Sequence, residues 1–278
     1  MQSCRLLVIE DDSSLEGSFK KNLLERNYQI VSASSKEEAL KHISLSLYST
    51  VLWQISNLDG NEVSFLKEIK TIDEHIPVII LCDSIDRKLL VHFISMKTFA
   101  FMPKNPDHTE LTEIIKAGLE TFADGEEIKI TSAKVDFMEI VIPARTNYIP
   151  RISNYLGHLF VMFSHRDMQR LLYAFRELLQ NAMEHGSSYC PAKKVTIRYL
   201  QTQKFLLFSI EDEGSGFNIS CLPHAAIGER KNSAMEVMQY RKQIGMRPGG
   251  LGIASAFSIA DEILYNEKGN SVVMIKYF

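Results

Sequence analysis

Cysteine is scarce in this 278-residue chain, and the four present (Cys4, Cys82, Cys190 and Cys221) lie far apart. That excludes a disulfide scaffold and a zinc site built on closely paired cysteines. They read as reduced, mostly buried thiols of a cytoplasmic protein. Long apolar runs are missing too: none approaches the ~18–20 residues that a membrane helix needs, so no membrane partner is expected. The opening MQSCRLLVIEDD meets three acids directly after its short apolar run, unlike a secretory leader. There is no internal repeat and no low-complexity tract. With 8 Pro, 14 Gly, 45% hydrophobic and 23% charged residues, the composition excludes a disordered chain, a collagen-like repeat and a coiled-coil rod. What remains is a soluble globular chain with room for two domains.

Acids outnumber bases in the first 124 residues, 19 against 13, whereas the remainder has 15 against 18. The acidic first half argues against a direct nucleic-acid partner, and the mildly basic second half suits an anionic ligand such as a nucleotide.

The first ~120 residues alternate β-rich runs with helical patterns, which predicts a parallel sheet covered by helices on both faces. Strands are expected at 5–9, 29–33, 51–55, 77–81 and 99–102. Helices are expected at 14–27, 36–43, 62–70, 86–96 and 108–122, the second opened by a Ser34 or Ser35 cap. In such a sheet ligand chemistry sits at the carboxyl ends of the strands. There the sequence places Glu10-Asp11-Asp12, carboxylates suited to Mg²⁺ or simply acids at a helix N-terminus.

The strand order, the acid pair and Lys104 in "FAFMPKNP" resemble a response-regulator receiver domain over about residues 3–122. By that resemblance Asp11 and Asp12 would hold Mg²⁺ and Lys104 would contact the phosphate. The phosphoacceptor position falls on Gln54 in "VLWQISNLDG", and the hydroxyl position on Cys82. A carboxamide cannot attack as a carboxylate does, so this receiver is expected not to accept a phosphoryl group. Asp59, five residues on, is off the strand end. Mg²⁺ would be held only weakly, one of the usual three acidic ligands being neutral. The expected use is a docking or homodimerising surface, centred by resemblance on residues 86–122.

After a polar, glycine-containing segment, Ala123-Asp-Gly-Glu-Glu127, the rhythm changes. The expected domains are 1–123 and 135–278, with 124–134 as linker. The second half reads as a strand at 134–142, helices at 146–163 and 167–184, and strands at 194–200 and 204–211. A loop, a helix from near Gly252 and a last strand at 271–278 follow. This is an α+β sandwich with helices on one face of a largely antiparallel sheet.

Three boxes stand out in it. In "FRELLQNAMEHG", Glu177, Asn181 and His185 fall at i, i+4 and i+8, on one polar helix face opposite Phe175, Leu178, Leu179 and Ala182. An amphipathic helix stopped by Gly186 fits the same pattern. "EDEGSGFN" sets Asp212, Gly214, Gly216 and Phe217 after a strand, suited to close backbone approach or to a tight turn. "RPGGLGIASAFSIAD" runs Arg247, Gly249, Gly250, Leu251 and Gly252 into a helix, suited to phosphates or to a capped loop.

In this order and spacing the boxes resemble the Bergerat-type ATP-binding fold of gyrase, the mismatch-repair ATPase and the histidine kinases. "ELLQNAMEHG" with "DEILYNEKGNSVVMIKYF" looks most like the anti-sigma serine kinases. The resemblance implies ATP and Mg²⁺ as cofactors, with Asn181 as Mg²⁺ ligand and Glu177 as general base. Asp212 would read the adenine amino group, and Gly214, Gly216, Phe217 and His185 would line the nucleotide. The segment around Arg247, Gly249, Gly250, Leu251 and Gly252 would cover the phosphates, beneath a lid over 219–247 in which Arg230 or Lys231 could add charge. It implies protein partners, an antagonist and a sigma factor. A nucleotide-gated binding module without turnover is the alternative, and a phosphatase-like regulator of another two-component system a third. "FSHRDM" superficially resembles a histidine-kinase phosphoacceptor box, but His165 precedes Asn181 by only sixteen residues. That leaves no room for a dimerising hairpin, and His165 reads as a helix-start residue.

Overall fold

A computed structural model gives the fold and describes residues 4–10, 23–24, 28–45, 48–56, 60–123, 125, 128–160, 162–216 and 256–278. The chain divides into two units, residues 1–127 with 150–158, and residues 128–149 with 159–278.

The first unit is built on five short strands, β1 (Arg5–Ile9), β2 (Gln29–Ala33), β3 (Thr50–Gln54), β4 (Val78–Leu81) and β5 (Ala100–Met102). All pair in parallel, in the order β2-β1-β3-β4-β5. Between them lie α1 (Lys36–Leu45), α2 (Glu62–Ile72) and α3 (Arg87–Ser95), and α4 (His108–Ala123) follows β5. β1, β3, β4 and β5 are nearly continuous apolar runs because both sheet faces are covered. On one face Leu6, Val8, Leu52, Ile79 and Leu81 meet Leu111, Ile114 and Ile115 of α4. Trp53 of β3 stacks edge-on against Phe65 of α2 at 4.8 Å and against Phe93 of α3 at 6.1 Å. Local chemistry places the helix starts: Ser35 Oγ accepts from Glu38 N at 3.2 Å, and Asp86 caps α3 by accepting from Lys88 N and Leu89 N. Two residues past the end of α3, Lys97 is left-handed at φ 59° and turns the chain into β5. This is the doubly wound five-stranded architecture that the alternation predicts.

The second unit is a six-stranded antiparallel sheet in the order β10-β11-β9-β8-β7-β6. Its strands are β6 (Lys129–Ala133), β7 (Phe137–Pro143), β8 (Lys194–Gln201), β9 (Phe205–Asp212), β10 (Glu262–Tyr265) and β11 (Ser271–Tyr277). Helix α5 (Ile149–Leu159), whose residues 150–158 belong to the first unit, follows a 3₁₀ turn at Thr146–Tyr148, and α6 (His165–Asn181) of the second unit runs into a π-helical turn, Ala182–Gly186. α6 buries Leu171, Leu172, Phe175, Leu178 and Leu179, and Phe175 packs on Phe208 of β9 at 5.5 Å. Helix on antiparallel sheet is the α+β sandwich that the sequence predicts.

One boundary and one edge strand differ from the sequence reading. Residues 124–134 are not all linker, since β6 lies within them as the polar edge strand of the second sheet. Edge strands carry little apolar signal, which is why KITSA reads as connection. β10 is likewise short and lies at the other edge. The expected helices at 14–27 and from Gly252 fall largely outside the described residues, which show helix at 23–24 and 256–259.

Candidate functional site

The second unit has an open cleft of about 300 Å³, solvent mouth included, between the end of α6, the end of β9 and the β10–β11 hairpin. Asn181 comes from the last α-helical position of α6, and Asp212 from the last residue of β9. Leu178, Ala182, Gly186, Ile210, Tyr265, Gly269, Asn270, Ser271 and Val272 line the rest.

Asp212 is 7% exposed, and burial pushes its carboxyl above the usual carboxylate range. The Gly214 N–H donates to Oδ1 at 2.8 Å, which together with Lys268 and Lys193 opposes that rise. The strand end is fixed by a polar hairpin. Asp212 N donates to Asn270 O at 2.9 Å, and Asn270 Nδ2 donates back to Asp212 O at 2.7 Å. Asn266 Oδ1 in turn accepts from the main chain of Gly269, Asn270 and Ser271 at 2.8–3.1 Å. Its amide donates to Asn270 Oδ1 at 2.9 Å.

The glycines explain themselves sterically. A Cβ on Gly214 would lie 2.0 Å from Gly186 O and 2.6 Å from Asp212 Oδ1. Gly216 has φ 77°, and a Cβ there would lie 1.8 Å from Lys268 O. The glycines let the backbone close tightly around a desolvated carboxylate, and that carboxylate, at the wall of the cleft, is an acceptor suited to an N–H on a flat ring. The donor set thus fits a nucleotide base, and the Asn181 amide fits a hard divalent ion that keeps most of its waters.

Of the sequence-predicted residues, Asn181 and Asp212 line the cleft, with Gly214 against Asp212 and Gly216 on the hairpin. Glu177 is half-buried one turn before Asn181. His185 differs from its expected place on the shared face. It is exposed, and Gly186 lines the cleft instead, because the π turn, closed by Ser187 N to Ala182 O at 2.9 Å, changes the helical phase after Asn181. Phe217, Arg247, Gly249, Gly250, Leu251 and Gly252, and the lid positions Arg230 and Lys231, lie outside the described residues. Tyr265, Asn270 and Ser271 were missed as site residues. Burial lifts the Tyr265 hydroxyl to about 12. Their only sequence signal is the polar EKGNS turn before the last strand. His165 opens α6 on the surface, behind the Ser164 cap, as read.

In the first unit, register brings Gln54, Cys82 and Lys104 to one end of the sheet. Gln54 pairs with Leu81 and Leu81 with Met102, and Cys82 N donates to Met102 O at 2.8 Å. Gln54 is 3% exposed. Burial and Asp83 push the Cys82 thiol up to about 11, against the pull of Lys104. Lys104 N donates to Asp83 Oδ1 at 3.1 Å. Asp11, Asp12 and Asp59 lie outside the described residues. Among the described residues no cluster of three or more metal-ligating side chains occurs, and no helix is long and apolar enough to cross a membrane.

Residues 6–116 match the response regulator receiver domain family, and residues 142–276 the histidine kinase-like ATPase domain family. Among characterised proteins, the serine-protein kinase RsbW of Listeria monocytogenes serotype 4a (strain HCC23) is 26% identical over 150 residues. That alignment covers 51% of this chain and 87% of the relative. The same kinase from serovar 1/2a (strain ATCC BAA-679 / EGD-e) is 26% identical over 155 residues, with the same coverage. Among solved structures, a CheY-like receiver domain protein from Methanospirillum hungatei JF-1 is 21% identical with a TM-score of 0.41. It covers 44% of this chain and 97% of that one.

Proposed function

We propose, from the premise that the chain joins a response regulator receiver domain to a histidine kinase-like ATPase domain, that it is a bacterial signalling regulator of the anti-sigma serine kinase type. It binds ATP with Mg²⁺ and phosphorylates a serine or threonine of a protein antagonist, under the control of a receiver that takes no phosphoryl group itself. The observation that carries this reading is the convergence of Asn181 and Asp212 on one cleft, packed about by Gly186 and Gly214.

Asp212 accepts a hydrogen bond from the exocyclic amine of the base, and Gly214 N–H keeps the carboxylate aimed. The Asn181 amide oxygen would hold the divalent ion, which would supply neutralisation of phosphate charge. Glu177, one turn earlier on the same helix, takes the proton from the attacking hydroxyl. Distant relationship to the RsbW serine-protein kinases supports a protein substrate and protein partners, an antagonist and a sigma factor.

Labelled ATP and a candidate antagonist test this. Label transfer that disappears in Glu177→Gln while ATP binding persists supports the kinase, and transfer that survives the substitution refutes the assigned base. One observation favours a second reading. By the receiver resemblance Gln54 falls at the acceptor position, where a carboxamide supplies no nucleophile; on this reading the second domain likewise gates a sequestering surface without turnover. ATP binding by calorimetry with no ADP formed over hours selects that reading.

A further inference from the structure

The outer side of β5 is the open edge of the receiver sheet, and it is occupied by α5. Four side chains on one face of that helix, Arg151, Asn154, Tyr155 and His158, fall at i, i+3, i+4 and i+7. All four address main chain of the 97–101 segment. Asn154 behaves as the peptide group of a missing sixth strand. Its Oδ1 accepts from Phe101 N at 2.8 Å, and its Nδ2 donates to Phe101 O at 2.8 Å. His158 Nε2 donates to the same carbonyl at 2.8 Å, using its second lone pair. Burial holds the His158 ring below its ordinary pKa, in keeping with a neutral imidazole that donates from Nε2.

Arg151 is 1% exposed. Its Nη2 donates to Lys97 O at 2.7 Å and Thr98 O at 3.3 Å, and its Nε donates to the Tyr155 hydroxyl at 2.8 Å. The Tyr155 hydroxyl donates to Thr98 O. The guanidinium also lies over the Phe99 ring, 5.0 Å from its centroid. These carbonyls are presented by the left-handed turn at Lys97. The contacts read backbone geometry, as a partner strand would, and residues 150–158 consequently belong to the first unit. In sequence, however, the same helix lies inside the stretch matched by the ATPase family, 142–276.

We propose that the β5 edge is a helix-recognition surface whose occupant is this chain's own Pro150–His158 segment, and that occupancy in cis closes the edge to a second copy. Exposed edges template pairing with another chain, and covering one with a helix removes the template. Self-association of the receiver through β5 therefore requires release of α5, a helix that the ATPase family's sequence supplies. The proposal is independent of nucleotide chemistry.

Hydrogen exchange on the full-length protein, with sedimentation at rising concentration, tests it. In the wild type, segments 97–102 and 150–158 should both be protected and the chain should not associate through this edge. Asn154→Ala should raise exchange of both segments at least about tenfold together, leave 171–179 unchanged, and introduce concentration-dependent association. Asn154→Asp, which keeps the size and the acceptor but sets a carboxylate against Phe101 O, should do the same if the alanine variant folds poorly. Free exchange of 97–102 in the wild type overturns the proposal. So does a variant that loosens both segments yet stays monomeric, which would leave α5 as packing alone.

Discussion

Gly186 and Asp212 are in direct backbone-to-carboxyl contact: a Cβ on Gly186 would lie 2.2 Å from Asp212 Cγ and 2.3 Å from both carboxylate oxygens. The π turn that ends α6 is what delivers Gly186 to this position, and the missing side chain is what lets Asp212 remain in the cleft. Gly186→Ala should therefore push the Asp212 carboxyl aside. Overpacking of this kind costs about 1–3 kcal/mol, and a displaced carboxylate should lower ATP affinity at least tenfold. Thermal melting and calorimetry on the same sample check both effects.

Asp212→Asn separates binding from folding. The carboxamide oxygen can still accept from Gly214 N, and removing a buried charge relieves the desolvation that raises the native carboxyl. Melting temperature should be unchanged or higher. ATP affinity should fall by roughly 10- to 100-fold, the equivalent of one hydrogen bond to a charged group. Equal affinity in the two proteins would refute the assignment of this carboxyl to the base.

The same raised carboxyl predicts a pH dependence. Its protonated form loses acceptor strength, and because the native group sits above the ordinary range, it takes up its proton earlier as pH falls. ATP affinity should therefore decline on acidification sooner than an ordinary carboxylate of about 3.9 would allow. For stability the sign is opposite: burial, outweighing the Gly214 hydrogen bond and the nearby lysines, disfavours the charged native form at neutral pH, and this penalty fades as the group protonates. Calorimetric titrations at descending pH should show weaker binding, and the Asp212→Asn variant should lose that slope.

Much of this was legible before the fold. Apolar runs bounded by turn residues located all five strands of the first unit, because parallel strands buried on both faces have a strong signal. The placement of Asn181 and Asp212 at element ends that line one cleft was legible because each ends an element whose pattern is clear. Three features were not. β6 and β10 are edge strands with half-polar composition. The π turn has no compositional mark, so helical spacing carried His185 onto the wrong face. α5 reads as an ordinary amphipathic helix, and nothing in its sequence says that its polar residues serve β5 rather than solvent.

Asn270 should behave as a positioning residue. Its side chain donates to Asp212 O and accepts from Asn266, and it is 9% exposed. Asn270→Ala leaves a buried carbonyl without that donor, a loss of about 1–3 kcal/mol in stability. Asn270→Ser, which keeps a hydroxyl donor on a shorter arm, should recover part of the ATP affinity that the alanine variant loses. Affinity untouched by either substitution would leave the hairpin a purely structural support.

Gln54 offers the sharpest test of the receiver. It is buried at the end of β3, in register with the positions that precede Cys82 and Lys104. A carboxamide has no anionic oxygen with which to attack phosphorus, so the wild type given acetyl phosphate and Mg²⁺ should gain no hydroxylamine-labile phosphoryl group. Gln54→Asp restores the nucleophile but buries a carboxylate. That should cost about 1–3 kcal/mol at neutral pH, a penalty that fades on acidification as the carboxyl takes up a proton. If the rest of the site is competent, the variant should acquire the labile phosphoryl group that the wild type lacks. Labelling of the wild type would instead locate an acceptor elsewhere in the receiver, with Asp59 the first position to substitute, and would end the reading of this domain as unphosphorylated.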